Sequence, residues 1–172
     1  LQDENRIVVK EGLRRMKNTK NYGLRALIRV NHLEEAELTG YHIGFVLGPC
    51  INASGRLSTA KKALNLLLCK DEKKAQELAE ELKALNDSRK EMTQKGVEQA
   101  EKLVETTELK EDRVLVIYLP DCHESLAGII AGRIRETYNK PVIVLTKGKD
   151  GVKGSGRSIE TYHMFKELVK CK

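Results

Sequence analysis

A chain of 172 residues, 40% of them hydrophobic, is long enough for one or two domains with a buried core, and 31 Lys and Arg against 25 Asp and Glu leave a formal net charge of +6. No apolar run approaches the roughly 20 residues of a membrane span, no secretory leader is visible, and Cys50, Cys69, Cys122 and Cys171 are too widely spaced for a zinc site or a disulfide framework. A reducing cytoplasm is the expected setting, and a start at Leu1 rather than at methionine points to a piece of a longer protein.

In chain order, residues 4 to 17 and 23 to 30 read as helices, because Ile7, Val8, Leu13 and Met16, then Leu24, Leu27 and Ile28, fall on helical faces around the polar loop Asn18 to Tyr22. Gly40 to Leu57, crowded with Gly44, Gly48, Pro49 and Gly55, is too rich in breakers for a long element, and Pro49 and Gly55 are expected to bend its backbone. Ser58 is placed to cap a short helix reaching Leu68, and Asp71 to cap the next one. From there Ala75, Leu78, Leu82, Leu85, Met92, Val97, Ala100 and Leu103 recur every three or four residues, which predicts a single helix of about 35 residues and about 50 Å. Arg89 interrupts that stripe as a snorkelling cation or one aimed into a groove, and Gly96 weakens it by about 1 kcal/mol relative to alanine. Beyond Glu111 the pattern becomes strand (Arg113 to Leu119), helix (Glu124 to Tyr138), strand (Pro141 to Thr146), with a further strand through Val152 to Ile159 and a last helix over Tyr162 to Val169.

Charge is segregated along this order. Residues 1 to 31 carry eight Lys and Arg against three Asp and Glu, residues 133 to 172 carry ten against four, and residues 70 to 112 carry nine against thirteen. Two basic ends around an acidic middle fit a polyanion between two positive surfaces, or an ordinary solvated surface.

The run Gly154, Ser155, Gly156, Arg157, Ser158 has the residue types of a phosphate clamp: glycines that let backbone N–H groups approach an oxyanion, hydroxyl donors, and a planar guanidinium fork. A glycine-rich surface turn is the plainer alternative. Gly151 to Ser158 also lies one letter from the P-loop pattern, but a P-loop needs a helix beginning at its lysine, and here Ile159 and Glu160 precede the helical pattern. The second informative run is Gly48 to Leu57, G-P-C-I-N-A-S-G-R-L, in which Asn52 supplies an amide and Arg56 a guanidinium.

Together these two runs resemble the single-strand-specific DNA exonucleases of the DHH phosphoesterase superfamily, and the resemblance covers essentially the whole chain. Glu4, Asn5 and Arg6 are similar to the end of the family's catalytic domain, Gly23 to Leu27 to the helix that follows, Asn86 and Arg89 to a pair on its connecting helix, and His123 to Ile134 to the helix opening its associated domain. The resemblance implies an α/β fold: residues 1–69 as the edge of the catalytic domain, 70–109 as the long connecting helix, and 110–172 as a small mixed-sheet associated domain that binds substrate. It implies a 5′ to 3′ exonuclease of DNA repair and recombination in which Mn2+ or Mg2+ activates water at the terminal phosphodiester. The metal ligands are expected upstream of Leu1 and a Gly-Gly-His segment beyond Lys172, so no catalytic residue and no metal site is expected in this chain. Gly154, Ser155, Gly156 and Arg157 would hold the 5′ phosphate, Arg56 and Arg89 would line the groove between domains with Asn52, and His123 would cap its helix or reach a phosphate.

Cys50 departs from the family pattern, which often has arginine there. No aromatic base-stacking platform is expected from the five Tyr and two Phe. Two other readings remain open: a DHH-family oligoribonuclease or cyclic-dinucleotide phosphodiesterase, and a non-catalytic nucleic-acid-binding relative. In the exonuclease reading the partner is single-stranded DNA.

Overall fold

The structure, a computed structural model, describes residues 2–171. They form two compact units, Leu1–Arg89 and Lys90–Lys172.

The first unit is helical: α1 (Asp3–Met16), α2 (Tyr22–Val30), a π-helix (His42–Leu47) running directly into α3 (Gly48–Leu57), α4 (Lys61–Leu68) and the first part of α5 (Glu72–Thr106). Its core gathers Leu27, Leu47, Cys50, Leu66, Ala75, Ala79 and Leu82. Burying each leucine stabilises the unit by about 1.5–3 kcal/mol. Two polar devices fix how α2 meets α4. The Asn21 side chain accepts the Leu24 N–H at 2.9 Å as the N-cap and donates to the Leu67 carbonyl at 2.8 Å. Beside it, Gly23 lies so close to α4 that a Cβ there would stand 2.1 Å from the Leu66 carbonyl oxygen, so only glycine fits.

Two sequence expectations change here. Gly40 to Leu57 is largely helical rather than a bent, broken segment: Pro49, which lacks an N–H, stands where the π-helix passes into α3, and Gly48 accommodates the Ile43 carbonyl 2.6 Å from where its Cβ would be. Ser58 ends α3 instead of starting the next helix, and the Thr59 hydroxyl accepts the Lys61 N–H where α4 begins. Asp71 does cap α5, accepting the Lys74 N–H at 2.6 Å.

The boundary between units falls within α5. Its most deeply buried line is Ala75, Ala79, Leu82, Asn86, Thr93, Val97, Ala100 and Val104, while Leu78, Leu85, Met92 and Leu103 flank it. The stripe turns polar at Asn86, Arg89 and Thr93, where the chain passes from one core to the other.

The second unit is α/β. After a 3₁₀ turn (Glu108–Glu111) come β1 (Leu115–Tyr118), α6 (Ala127–Tyr138), β2 (Val142–Gly148), β3 (Gly151–Arg157) and α7 (Met164–Val169). The sheet order is β1-β2-β3, with β1 parallel to β2 across the α6 crossover and β3 antiparallel to β2 through a tight hairpin. Gly151, with φ +130°, supplies the backbone conformation that closes the hairpin. One sheet face, with Leu115, Ile117, Val142 and Val144, packs on α6 through Ile130 and Ile134 and on the last turns of α5. On the other face Gly156 meets Met164 of α7, and a Cβ at that glycine would lie 2.2 Å from the methionine sulfur. No helix among the described residues is long and apolar enough to cross a membrane.

Candidate phosphate and nucleic-acid interface

Every predicted contact residue falls in one of the two units, and each unit gathers its own set. In the second, the glycine-rich run is strand β3, with Ser158 just beyond it. That matches the strand expected through Val152 to Ile159 but corrects the expectation that its N–H groups converge on an oxyanion: Val142 pairs with Arg157, Val144 with Ser155 and Leu145 with Gly154, so the backbone is extended and laddered. The glycines serve close approach instead, since a Cβ at Gly154 would stand 2.6 Å from Leu145 Cδ2.

Side chains alternate along a strand, so Lys153, Ser155 and Arg157 share the face of their partners Thr146, Val144 and Val142, the face that α6 covers. Arg157 is exposed, its Nη1 donates to the Gly156 carbonyl at 2.9 Å, and it makes no ion pair among the described residues. Its Nη2 and the Ser155 hydroxyl meet over Gly128 of α6. A guanidinium and a hydroxyl brought close together without a carboxylate partner are donor groups of the kind that bind phosphate oxygens.

The flank of this site is a shallow cavity of about 280 Å³ lined by Glu124, Ser125, Ala127, Thr146, Lys153 and Gly154. Lys153 Nζ pairs with Glu124 at 2.7 Å, and that hydrogen bond holds the Glu124 carboxyl below its ordinary range, so the one acid in the lining is neutralised by its neighbour. His123 sits in the turn before α6. Its Nδ1 accepts the Ser125 N–H at 3.3 Å and is hydrogen-bonded to the Ser125 hydroxyl at 2.8 Å, an arrangement that orders the entry to the helix. With Nδ1 accepting, the ring proton belongs on Nε2.

In the first unit, Asn52 and Arg56 are exposed one helical turn apart on α3, so they share a face. Cys50, Ala53 and Ser54 are the buried residues of that helix. Cys50 is therefore a core residue: its Sγ lies 3.6 Å from Asn86 Nδ2 and 3.8 Å from Asn31 Nδ2. Half-buried Arg89 donates from Nε to Asn86 Oδ1 at 3.2 Å, so the Asn86 and Arg89 pair of the connecting helix and Cys50 form one polar cluster. Among the described residues no group of three or more His, Cys, Asp or Glu side chains could hold a metal ion, so the residues present do not fit a metal centre.

Two features escaped the sequence. Gly128 and Gly132 of α6 face Arg157, and the available signal was a pair of glycines four apart within a predicted helix, each costing about 1 kcal/mol relative to alanine. An exposed aromatic pair is also present: Tyr41 and Phe45, 64% and 70% exposed, stack with centroids 5.2 Å apart and planes at 26°. Neither ring belongs to a motif, and their spacing of four residues puts them side by side only once residues 40 to 47 are helical.

The DHHA1 domain family matches residues 111–171. The single-stranded-DNA-specific exonuclease RecJ of Dickeya dadantii is 40% identical over 175 residues, covering 99% of this chain and 30% of that protein. A crystal structure of exonuclease RecJ bound to manganese superposes with a TM-score of 0.80 at 34% identity, over 95% of this chain and 40% of that one. RecJ of Thermus thermophilus in complex with Mg2+ gives 0.78 at 34% identity, over 95% and 25%. The chain thus spans under a third of the length of the curated relatives it matches. By sequence and by fold the chain is similar to a segment of the RecJ exonucleases, and its residues 111–171 match the DHHA1 domain family.

Proposed function

We propose that the chain is the strand-holding part of a metal-dependent 5′ to 3′ exonuclease acting on single-stranded DNA in repair and recombination, in a cytoplasmic setting that keeps its four free cysteines reduced. In this reading residues 1–69 are the edge of the catalytic domain, 70–109 the connecting helix and 110–172 the associated domain. Ser155 and Arg157 receive the 5′-terminal phosphate, His123 Nε2–H offers a further donor, and Asn52, Arg56 and Arg89 contact the backbone of the strand. The observation that carries the reading is Arg157, exposed and without a carboxylate partner among the described residues, converging with the Ser155 hydroxyl within a DHHA1 domain.

No step of bond cleavage is derived from these residues, because they do not fit a metal centre. What they do is bind and orient. A clamp on the terminal phosphate fixes which phosphodiester is presented for attack, and positioning of that kind is a large part of the acceleration in phosphoryl chemistry. Readout of base identity is absent from such a grip, so cleavage without sequence preference follows.

The test is to follow nucleotide release from single-stranded DNA by the full-length protein and by the 172-residue chain. Release by the full-length protein with Mn2+ or Mg2+, stopped by a chelator, and none from the chain alone are the expected results. Metal-dependent release by the pure chain would overturn the division of labour.

A further inference from the structure

The two side chains that define the phosphate site owe their arrangement to a residue on another element. A Cβ built on Gly128 of α6 would stand 2.9 Å from Arg157 Nη2, 2.9 Å from Ser155 Oγ and 3.5 Å from Arg157 Cζ, and one turn further on a Cβ at Gly132 would stand 4.0 Å from Arg157 Nε. The other tightly packed glycines protect something different. At Gly23 the obstructing atom is the Leu66 backbone carbonyl, and at Gly96 it is the buried side chain of Ile130. At Gly128 it is the tip of an exposed arginine and a hydroxyl, groups that can swing away without disturbing the core. Glycine weakens a helix, so Gly128 within a twelve-residue helix needs a local reason, and its nearest atoms are those of Arg157 and Ser155 rather than of core side chains.

We propose that Gly128 is a positioning residue for terminal-phosphate recognition: its bare Cα leaves room for the Arg157 guanidinium, with Nη1 on the Gly156 carbonyl, and for the Ser155 hydroxyl to come together over α6, so that two donors can reach one phosphate. This rests on the reading of Ser155 and Arg157 as the phosphate-holding pair. Any β-carbon at position 128 pushes Nη2 or the hydroxyl off that point, and the loss falls on recognition rather than on folding.

The experiment measures the affinities of the full-length protein, without catalytic metal, for the same oligonucleotide ending in a 5′ phosphate and in a 5′ hydroxyl, together with the melting temperature. Gly128→Ala is expected to lower the phosphate-to-hydroxyl preference about tenfold, the loss of one charge-assisted hydrogen bond, at an unchanged melting temperature. Gly12→Ala, at a helical glycine with open space around it, is expected to leave the preference intact. Loss of preference in Arg157→Ala but not in Gly128→Ala overturns the positioning role and leaves the phosphate site standing. Retained preference in Arg157→Ala removes the phosphate site and the positioning role with it. A marked fall in melting temperature in Gly128→Ala alone assigns the glycine to packing and also overturns the proposal.

Discussion

At the scale of single residues, Cys50 shows how burial decides chemistry. The sequence marks it as a departure from the family pattern, but not as a core residue, because that depends on residues 48 to 57 being helical with position 50 turned inward. A soluble thiol reagent is therefore expected to label exposed Cys171 in the native protein and Cys50 only on unfolding, as peptide mass spectrometry of labelled samples can show. Burial also pushes the Cys122 thiol up, which keeps its thiolate scarce at neutral pH. Tyr138 gives a pH signature. Burial, and then the hydrogen bond it donates to Glu105 at 2.9 Å, push its phenol up to about 12 from an ordinary 10. A phenol that ionises later in the fold than in the unfolded chain stabilises the fold fully below pH 10, and this contribution disappears as the pH rises to about 12. The absorbance titration of the five tyrosines should lose its last phenolate component in Tyr138→Phe, and the stability of that variant should fall less between pH 10 and 12.

At the scale of elements, glycines separate what was legible from what was not. Apolar recurrence every three or four residues gave α1, α2, α5 and α6 within a few positions, and β-branched runs gave β1 and β2. The same letter G misleads elsewhere, because it serves both unusual backbone angles and close approach, and sequence does not tell which. Gly48 and Gly154 read as breaker and cradle, whereas the structure uses both for close contacts, with Gly151 the only glycine at positive φ among the described residues. Substitutions separate these uses. Gly96→Ala forces Ile130 Cδ1 from a core position 2.4 Å from the new atom and is expected to destabilise the second unit by about 1–3 kcal/mol despite better helix propensity. Gly23→Ala, against a backbone carbonyl, should cost more, and Gly12→Ala should be neutral or stabilise by up to about 1 kcal/mol. Denaturant unfolding of the three variants gives the ranking.

At the scale of the whole molecule, charge and phosphate chemistry converge. The net charge of +6 is concentrated at the two ends of the chain, and the predicted phosphate contacts divide between the helical unit (Asn52, Arg56, Arg89) and the α/β unit (His123, Ser155, Arg157). Binding of single-stranded DNA by the full-length protein should fall with salt, and Arg157→Ala should reduce the slope of log affinity against log salt by about 0.7, the share of one phosphate contact. The donor groups proposed to hold the phosphate, Ser155 and Arg157, could be named from the sequence. Their support from α6 could not, because residues 128 and 157 meet only once the strand is laddered onto β2 and the helix is laid across it. The most direct measurement is the rate at which the full-length exonuclease degrades 5′-phosphorylated and 5′-hydroxyl strands, in the wild type and in Arg157→Ala. The expected result is a wild-type preference for the phosphorylated end that Arg157→Ala lowers about tenfold, and an unchanged preference in that variant would contradict a terminal-phosphate grip at Ser155 and Arg157.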